Sequence, residues 1–126
     1  MFDAARSARR VLVVEDEYFI ATDLQRELQA NGWDVAGPVG SVAAALRVIA
    51  DAPPDVAILD VNLDGSRSYA IADRLLSLSI PFVFVTGYDD WALPLPYRRA
   101  LRITKPCTSD ALRAALAQLC RIEVKA

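Results

Sequence analysis

The sequence predicts an α/β protein of the doubly wound kind, a five-stranded parallel sheet with helices on both faces. Three observations carry this. Short, wholly apolar runs such as "VLVV" (11–14) suit strands buried on both faces. Each run is followed by a segment whose apolar residues return every three to four positions, the signature of a helix lying on a sheet. The 126 residues, 54% hydrophobic and 24% charged, match one globular domain.

The elements follow in order. After 11–14, Ile20, Leu24 and Leu28 mark a helix from Tyr18 to Ala30, stopped by Asn31-Gly32. "WDVAGPV" (33–39) reads as a strand, and Gly37-Pro38 puts it at the sheet edge. Ser41 can cap the next helix, with Val42, Ala45, Leu46 and Ile49 as its stripe and Pro53-Pro54 as its end. "DVAILDV" (55–61) is the most buried strand, and Ile71, Leu75 and Leu78 mark the helix after it. "IPFVFVTG" (80–87) and "LRIT" (101–104) supply the last two strands. Thr108 or Ser109 caps a final helix presenting Leu112, Ala115, Leu116 and Leu119. Alternating strands and helices with right-handed crossovers give the parallel sheet. The segment "YDDWALPLPYRRA" (88–100) breaks the rhythm: Pro94 and Pro96 forbid a regular helix, so the fourth helix should be short or irregular.

Composition excludes several function classes. The net charge of −2 gives no basic footprint for nucleic acid, and Arg6, Arg9 and Arg10 read as a solvated tail. No apolar run reaches the roughly 18 residues of a membrane span, and "MFDAARSARR" lacks a signal-peptide core, so a cytoplasmic protein is expected. Cys107 and Cys120 read as free, mostly buried thiols. With no histidine, imidazole metal sites and Ser–His or Cys–His catalysis are ruled out.

In such sheets the site forms beyond the C-terminal strand ends. There stand Glu15 and Asp16, then Asp60 and Asn62, then Thr86, then Lys105 and Pro106. Three carboxylates in one cleft repel each other, and a hard divalent cation compensates them; oxygen donors without nitrogen or sulfur suit Mg²⁺. Lys105 offers a point charge and Thr86 a hydroxyl for phosphate oxygens, which is most of what phosphoryl transfer needs. A central carboxylate can itself be the nucleophile, and Asp60 is the best placed.

"VLVVEDE", "ILDVNLDG", "FVTG" and "TKP" resemble the motif set of response-regulator receiver domains of two-component signalling, from about Arg10 to Leu119. The resemblance implies a flavodoxin-like, CheY-like sheet of order 2-1-3-4-5. It implies that Asp60 accepts a phosphoryl group from a histidine kinase or histidine phosphotransferase. Asp16 and Asp60 would bind Mg²⁺ directly, Glu15 through water and Asn62 through its main-chain carbonyl. Thr86 and Lys105 would hold phosphoryl oxygens, and the Lys105–Pro106 bond would be cis. Such a protein is not a turnover enzyme. Glu17 would lie in the first turn of the first helix, complementing its dipole or lining the approach of a kinase.

Rival readings fit less well. "DVNLDG" (60–65) starts like an EF-hand loop, but its twelfth position is Ile71 instead of Glu. A haloacid-dehalogenase-type phosphatase wants a second Asp where Asn62 stands. A pseudo-receiver that binds without phosphorylation remains as an alternative. The chain also departs from the usual receiver pattern. Arg102 occupies the place of the aromatic switch residue, three before the lysine, and "FVTGY" (84–88) resembles, imperfectly, the FATGUY receiver subclass, whose members often pair with HWE or HisKA2 kinases. Tyr88 and Arg102 are therefore expected to modulate the response, Tyr88 by shielding the phosphoryl group and the loop 88–100 by reorganising. The expected organisation is a tail over 1–9 and one receiver over 10–122 with no output domain. It would be a stand-alone regulator, phosphate sink or shuttle, with homodimerisation open; a module cut from a hybrid kinase is the other reading.

Overall fold

Strand β1 (Arg10–Val14) is parallel to both β2 (Asp34–Val39) and β3 (Val56–Asp60), and β6 (Phe82–Thr86) and β7 (Leu101–Thr104) complete the sheet beyond β3. The order is β2-β1-β3-β6-β7, all parallel, which is the predicted 2-1-3-4-5 arrangement with β2 at the edge. The structure, a computed structural model, describes residues 9–87, 93–97 and 100–125. Tyr88, most of the loop 88–100 and the expected tail before residue 9 lie outside the described residues.

Side chains alternate across the sheet as strand pleating requires. Leu12, Val14, Ala57, Leu59, Phe82 and Phe84 pack toward α2 (Val42–Asp51) and α3 (Tyr69–Ser77), whose Ala45, Ile49, Ile71 and Leu75 are buried with them. Val11, Val13, Val56, Ile58, Val83 and Val85 face the other way, onto Leu24 and Leu28 of α1 (Tyr18–Ala30) and Leu112, Leu116 and Leu119 of α4 (Ser109–Lys125). Every residue of β3 and β6 is buried, so the apolar runs were strands covered on both faces. Each fully buried Leu or Ile contributes about 2 kcal/mol of transfer free energy.

The caps explain the helix starts. Ser41 Oγ accepts from Ala44 N at 3.1 Å, and Thr108 Oγ1 accepts from Ala111 N at 3.1 Å, which decides between Thr108 and Ser109. Some expectations shift. Ile20 is 36% exposed and Leu78 38% exposed, because Ile20 sits in the first turn of α1 beyond the sheet and Leu78 is the C-cap of α3. Arg10 is not tail: it opens β1, with Nη1 donating to Ala52 O at 2.5 Å and its backbone N to Asp55 Oδ2 at 2.8 Å. Cys107 and Cys120 are free but only half-buried. A small antiparallel hairpin, β4 (Asn62–Leu63) with β5 (Ser66–Arg67), stands between β3 and α3 where no strand was expected, turning through Asp64 and Gly65 at positive φ. In the irregular segment, a 3-10 turn (Leu95–Tyr97) stands among the described residues where a longer helix was forbidden.

The edge strand carries a bulge that matters for the site. Leu12 pairs with Ala36 and Val14 with Val39, so Gly37 and Pro38 together oppose Val13. Gly37 has φ +91°, and a Cβ there would meet Val39 N at 2.8 Å and Val13 O at 3.0 Å, so only glycine fits. The bulge brings Val39 O to 2.9 Å from the Glu15 amide, which fixes the backbone where the acid pair begins.

Candidate phosphoacceptor site

Three strand ends build the site. β1 delivers Glu15 and Asp16, β3 delivers Asp60 as its last residue, and β6 delivers Thr86 as its last. Lys105 directly follows β7, and its amide donates to Thr86 O at 2.9 Å, tying the last two strand ends together. Carboxylate oxygens of Glu15, Asp16 and Asp60 lie within 4.8 Å of one another, the spacing of ligands around one cation. Among the described residues this is the one such group.

The cluster is held from several sides. Lys105 Nζ donates to Asp60 Oδ2 at 2.8 Å and stands 3.9 Å from Glu15 Oε1. The Asn62 amide donates to Asp60 Oδ1 at 3.1 Å, so both oxygens of Asp60 have a donor. The Asn62 side chain turns away to accept from Gly65 N at 3.2 Å, which closes the hairpin and leaves its main chain to the site. Glu15, Asp60 and Thr86 are buried and Asp16 is exposed, so the cluster opens on one side to solvent. Lys105–Pro106 is cis, as expected, and Gly37–Pro38 is cis as well.

The electrostatics follow from burial and crowding. Burial pushes the Glu15 carboxyl up to about 7; the Glu17 amide on it and the nearby Lys105 pull it down, while Asp60 adds to the rise. Burial works to lower the Lys105 ammonium, but the hydrogen bond and charge of Asp60, then the charges of Glu15 and Asp16, outweigh it and hold the group above its ordinary value. Burial and the neighbouring Asp60 disfavour the charged form of Glu15, and a cation among these carboxylates would offset that cost. All donors are hard oxygens, which fits Mg²⁺.

Glu17 separates from its neighbours. It is the N-cap of α1: Oε1 accepts from Phe19 N at 2.9 Å and from Ile20 N at 3.4 Å. It thus precedes the first turn in which it was expected. Two large rings, Tyr18 and Phe19, then stand 72% and 73% exposed next to the site. A groove of 590 Å³ runs from Lys105 and Cys107 along Ile20, Asp23, Leu24 and Glu27. Burial raises the Cys107 thiol, which keeps it protonated and unreactive.

Arg102 is exposed on the edge strand β7, so it fills no inward aromatic position. The inward ring comes from elsewhere and was missed. Tyr97 is 7% exposed, stacks on Tyr69 with centroids 4.8 Å apart, and donates its hydroxyl to Asp73 Oδ1. Its only sequence signal is the pair Pro94 and Pro96, which stiffens the approach to Tyr97.

The fold is a doubly wound α/β domain with an acid cluster, a lysine and a buried hydroxyl at the rim formed by the C-terminal strand ends, where such sheets place their sites. The family model described as the response regulator receiver domain matches residues 11–117, and the chain belongs to that family. It is a regulatory signalling domain of two-component systems, not a turnover enzyme, and receiver domains interact with histidine kinases or phosphotransfer proteins. It is 30% identical over 122 residues to the phyllosphere-induced regulator PhyR of Methylorubrum extorquens, covering 91% of this chain and 45% of that protein. It is 32% identical over 111 residues to the sensory transduction protein LytT of Bacillus subtilis, covering 85% and 46%. The chain thus spans less than half the length of these curated relatives. Among solved structures, SdrG from Sphingomonas melonis Fr1 matches with TM-score 0.80 and 39% identity, over 90% of this chain and 98% of that one. The receiver domain of Erythrobacter litoralis PhyR matches with TM-score 0.81 and 26% identity, over 93% of each chain. No helix among the described residues is long and apolar enough to cross a membrane.

Proposed function

We propose that this receiver accepts a phosphoryl group on Asp60 from a phosphohistidine in a Mg²⁺-dependent reaction and signals by changed protein contacts. The observation that carries the reading is the Lys105–Asp60 contact at 2.8 Å inside the three-carboxylate cluster. Asp16 and Asp60 would hold the cation directly, Glu15 through water and Asn62 through its main-chain carbonyl. The bound cation would draw negative charge off the phosphoryl oxygens. An Asp60 carboxylate oxygen attacks phosphorus, an O–P bond forms, and the N–P bond to the donor imidazole breaks with its electrons returning to nitrogen. Lys105 then moves from the carboxylate to a phosphoryl oxygen, and the Thr86 hydroxyl donates to another. Hydrolysis of the acyl phosphate by water restores Asp60.

Finer readings rest on the same site. "FVTGY" (84–88), with Val85 in place of Ala, is the motif on which the FATGUY subclass and a kinase of HWE or HisKA2 type are proposed. The exposed Tyr18–Phe19 pair and the groove beside Lys105 supply an apolar landing face for such a kinase. Tyr88 and Arg102 are proposed as modulators, and a domain spanning 10–122 acting in the cytoplasm as a stand-alone regulator, sink or shuttle is the favoured organisation. A solved structure of SdrG in its BeF3-activated conformation, 41% identical with TM-score 0.76 over 90% of this chain and 98% of that one, supports testing with the same mimic. Mg²⁺ with beryllofluoride should form an adduct at Asp60, seen by fluorine NMR and lost in Asp60→Asn. A wild-type chain that forms no adduct sinks the reading in favour of a pseudo-receiver.

A further inference from the structure

Tyr97 is engaged on three sides. Its ring lies parallel to Tyr69, the first residue of α3, at 4.8 Å and 13°. It meets Phe84 of β6 edge-on at 6.0 Å and 85°. Its hydroxyl donates to Asp73, one turn further along α3. Tyr69 also meets Phe84 edge-on at 6.3 Å, and Phe82 meets Phe84 at 5.3 Å, so four rings form one packed unit. The 3-10 turn presents Tyr97 to it, with Tyr97 N bonded to Pro94 O at 2.9 Å and Ala100 N to Tyr97 O at 3.1 Å.

This unit touches the phosphoacceptor site through two strands. Phe84 and Thr86 lie two apart on β6, so their side chains share one sheet face. β7 begins at Leu101, four residues after Tyr97, and the residue that follows it is Lys105, whose amide bonds Thr86 O. The ammonium bonded to Asp60 Oδ2 is the arrangement of a free carboxylate. Forming the acyl phosphate would turn that ammonium and the Thr86 hydroxyl toward phosphoryl oxygens, at the ends of the two strands that flank Tyr97.

We propose that Tyr97 is a latch: bonded to Asp73 and stacked on Tyr69, it holds the segment 93–97 against α3 in the free-carboxylate state and thereby opposes phosphorylation of Asp60. The proposal rests on the phosphoacceptor reading above. Coupling of this kind is reciprocal, so whatever loosens the latch tightens the site for a phosphoryl group. The Tyr97 phenol is pushed up to about 12 by burial, then by the hydrogen bond and charge of Asp73, so it remains a protonated donor at every working pH. The hydroxyl, not the ring, is the adjustable part: Phe in its place keeps the stack and loses the bond.

The test uses the full chain, Mg²⁺ with beryllofluoride, and the variants Tyr97→Phe, Asp73→Ala and both together. Neither residue belongs to the phosphoryl site. Without beryllofluoride, each variant should raise amide exchange at Tyr97 and Ala100. With it, each single variant should bind the mimic about fivefold more tightly, the effect of one lost hydrogen bond, and the double variant no more tightly than either single one. An adduct of unchanged affinity in both single variants overturns the latch and leaves the phosphoacceptor reading standing. No adduct in the wild-type chain overturns the phosphoacceptor reading, and the latch with it.

Discussion

Lys105 Nζ stands 2.8 Å from Asp60 Oδ2 and 3.9 Å from Glu15 Oε1, so one ammonium serves two buried carboxylates. Removing it leaves both acids short of compensation. In Mg²⁺-free buffer, Lys105→Ala should lower the urea midpoint by the equivalent of about 1–2 kcal/mol, a figure reduced because the lysine is partly solvated. Added Mg²⁺ should recover most of that loss. Beryllofluoride affinity should fall about tenfold or more and not recover with metal, because the charged donor to the phosphoryl oxygens is gone.

Glu15 titrates in the working range. Its folded-state value, about 7, lies above the ordinary 4.5. A raised carboxyl contributes stability that is fully present below its unfolded value and is lost as pH rises through the folded one. The Mg²⁺-free protein should therefore lose stability between about pH 4.5 and 7, and Glu15→Gln should flatten that slope. Because the charged form favours the cation, apparent Mg²⁺ affinity should rise across the same window with release of a proton. An unaltered slope in Glu15→Gln, measured by urea unfolding at several pH values, would count against Glu15 as the titrating group.

The run Glu15-Asp16-Glu17 divides by geometry, and mutation should divide it by function. Asp16 is exposed at the open side of the cluster, whereas Glu17 caps α1 through Oε1. Asp16→Ala should abolish Mg²⁺-dependent adduct formation with little change in urea midpoint. Glu17→Ala should keep metal binding and cost about 1 kcal/mol of stability, the usual loss of an N-cap. Calorimetric Mg²⁺ titration beside urea unfolding separates the two outcomes.

What the sequence showed and what it hid follow one physical rule. Runs such as "VLVV" and "FVFV" were legible because a strand buried on both faces has no polar register to disguise it. The rim residues were legible because strand ends in a doubly wound sheet converge, and Glu15, Asp16, Asp60, Thr86 and Lys105 each stand at or just beyond such an end. Ile20 and Leu78 fit the helical period, yet each lies at a helix end, where the sheet no longer covers it. The hairpin 62–67 depends on Asn62 accepting from Gly65 N, a local contact that no periodicity reports. Tyr97 was hidden because its partners, Tyr69, Asp73 and Phe84, come from other elements, and aromatic packing across elements leaves no spacing in the chain.

Gly40 tests whether the position of Asp16, and not only its charge, sets the metal affinity. A Cβ at Gly40 would stand 3.2 Å from Asp16 Cα and 3.5 Å from Asp16 Cβ, so the β1–α1 turn would have to yield by a few tenths of an ångström. Gly40 is exposed, and its backbone needs no left-handed conformation, so Gly40→Ala should leave the urea midpoint nearly unchanged. Displacing one ligand of a three-carboxylate cluster spoils its spacing, and apparent Mg²⁺ affinity should fall about tenfold. Gly32→Ala is the control with the opposite pattern. Nothing stands within 4 Å of its Cβ, but its φ of +89° strains any other residue. That variant should lose about 1 kcal/mol of stability and bind Mg²⁺ as the wild type does. Equal Mg²⁺ affinities for Gly40→Ala and the wild type would mean that the turn carrying Asp16 adapts freely and that ligand charge alone sets the affinity.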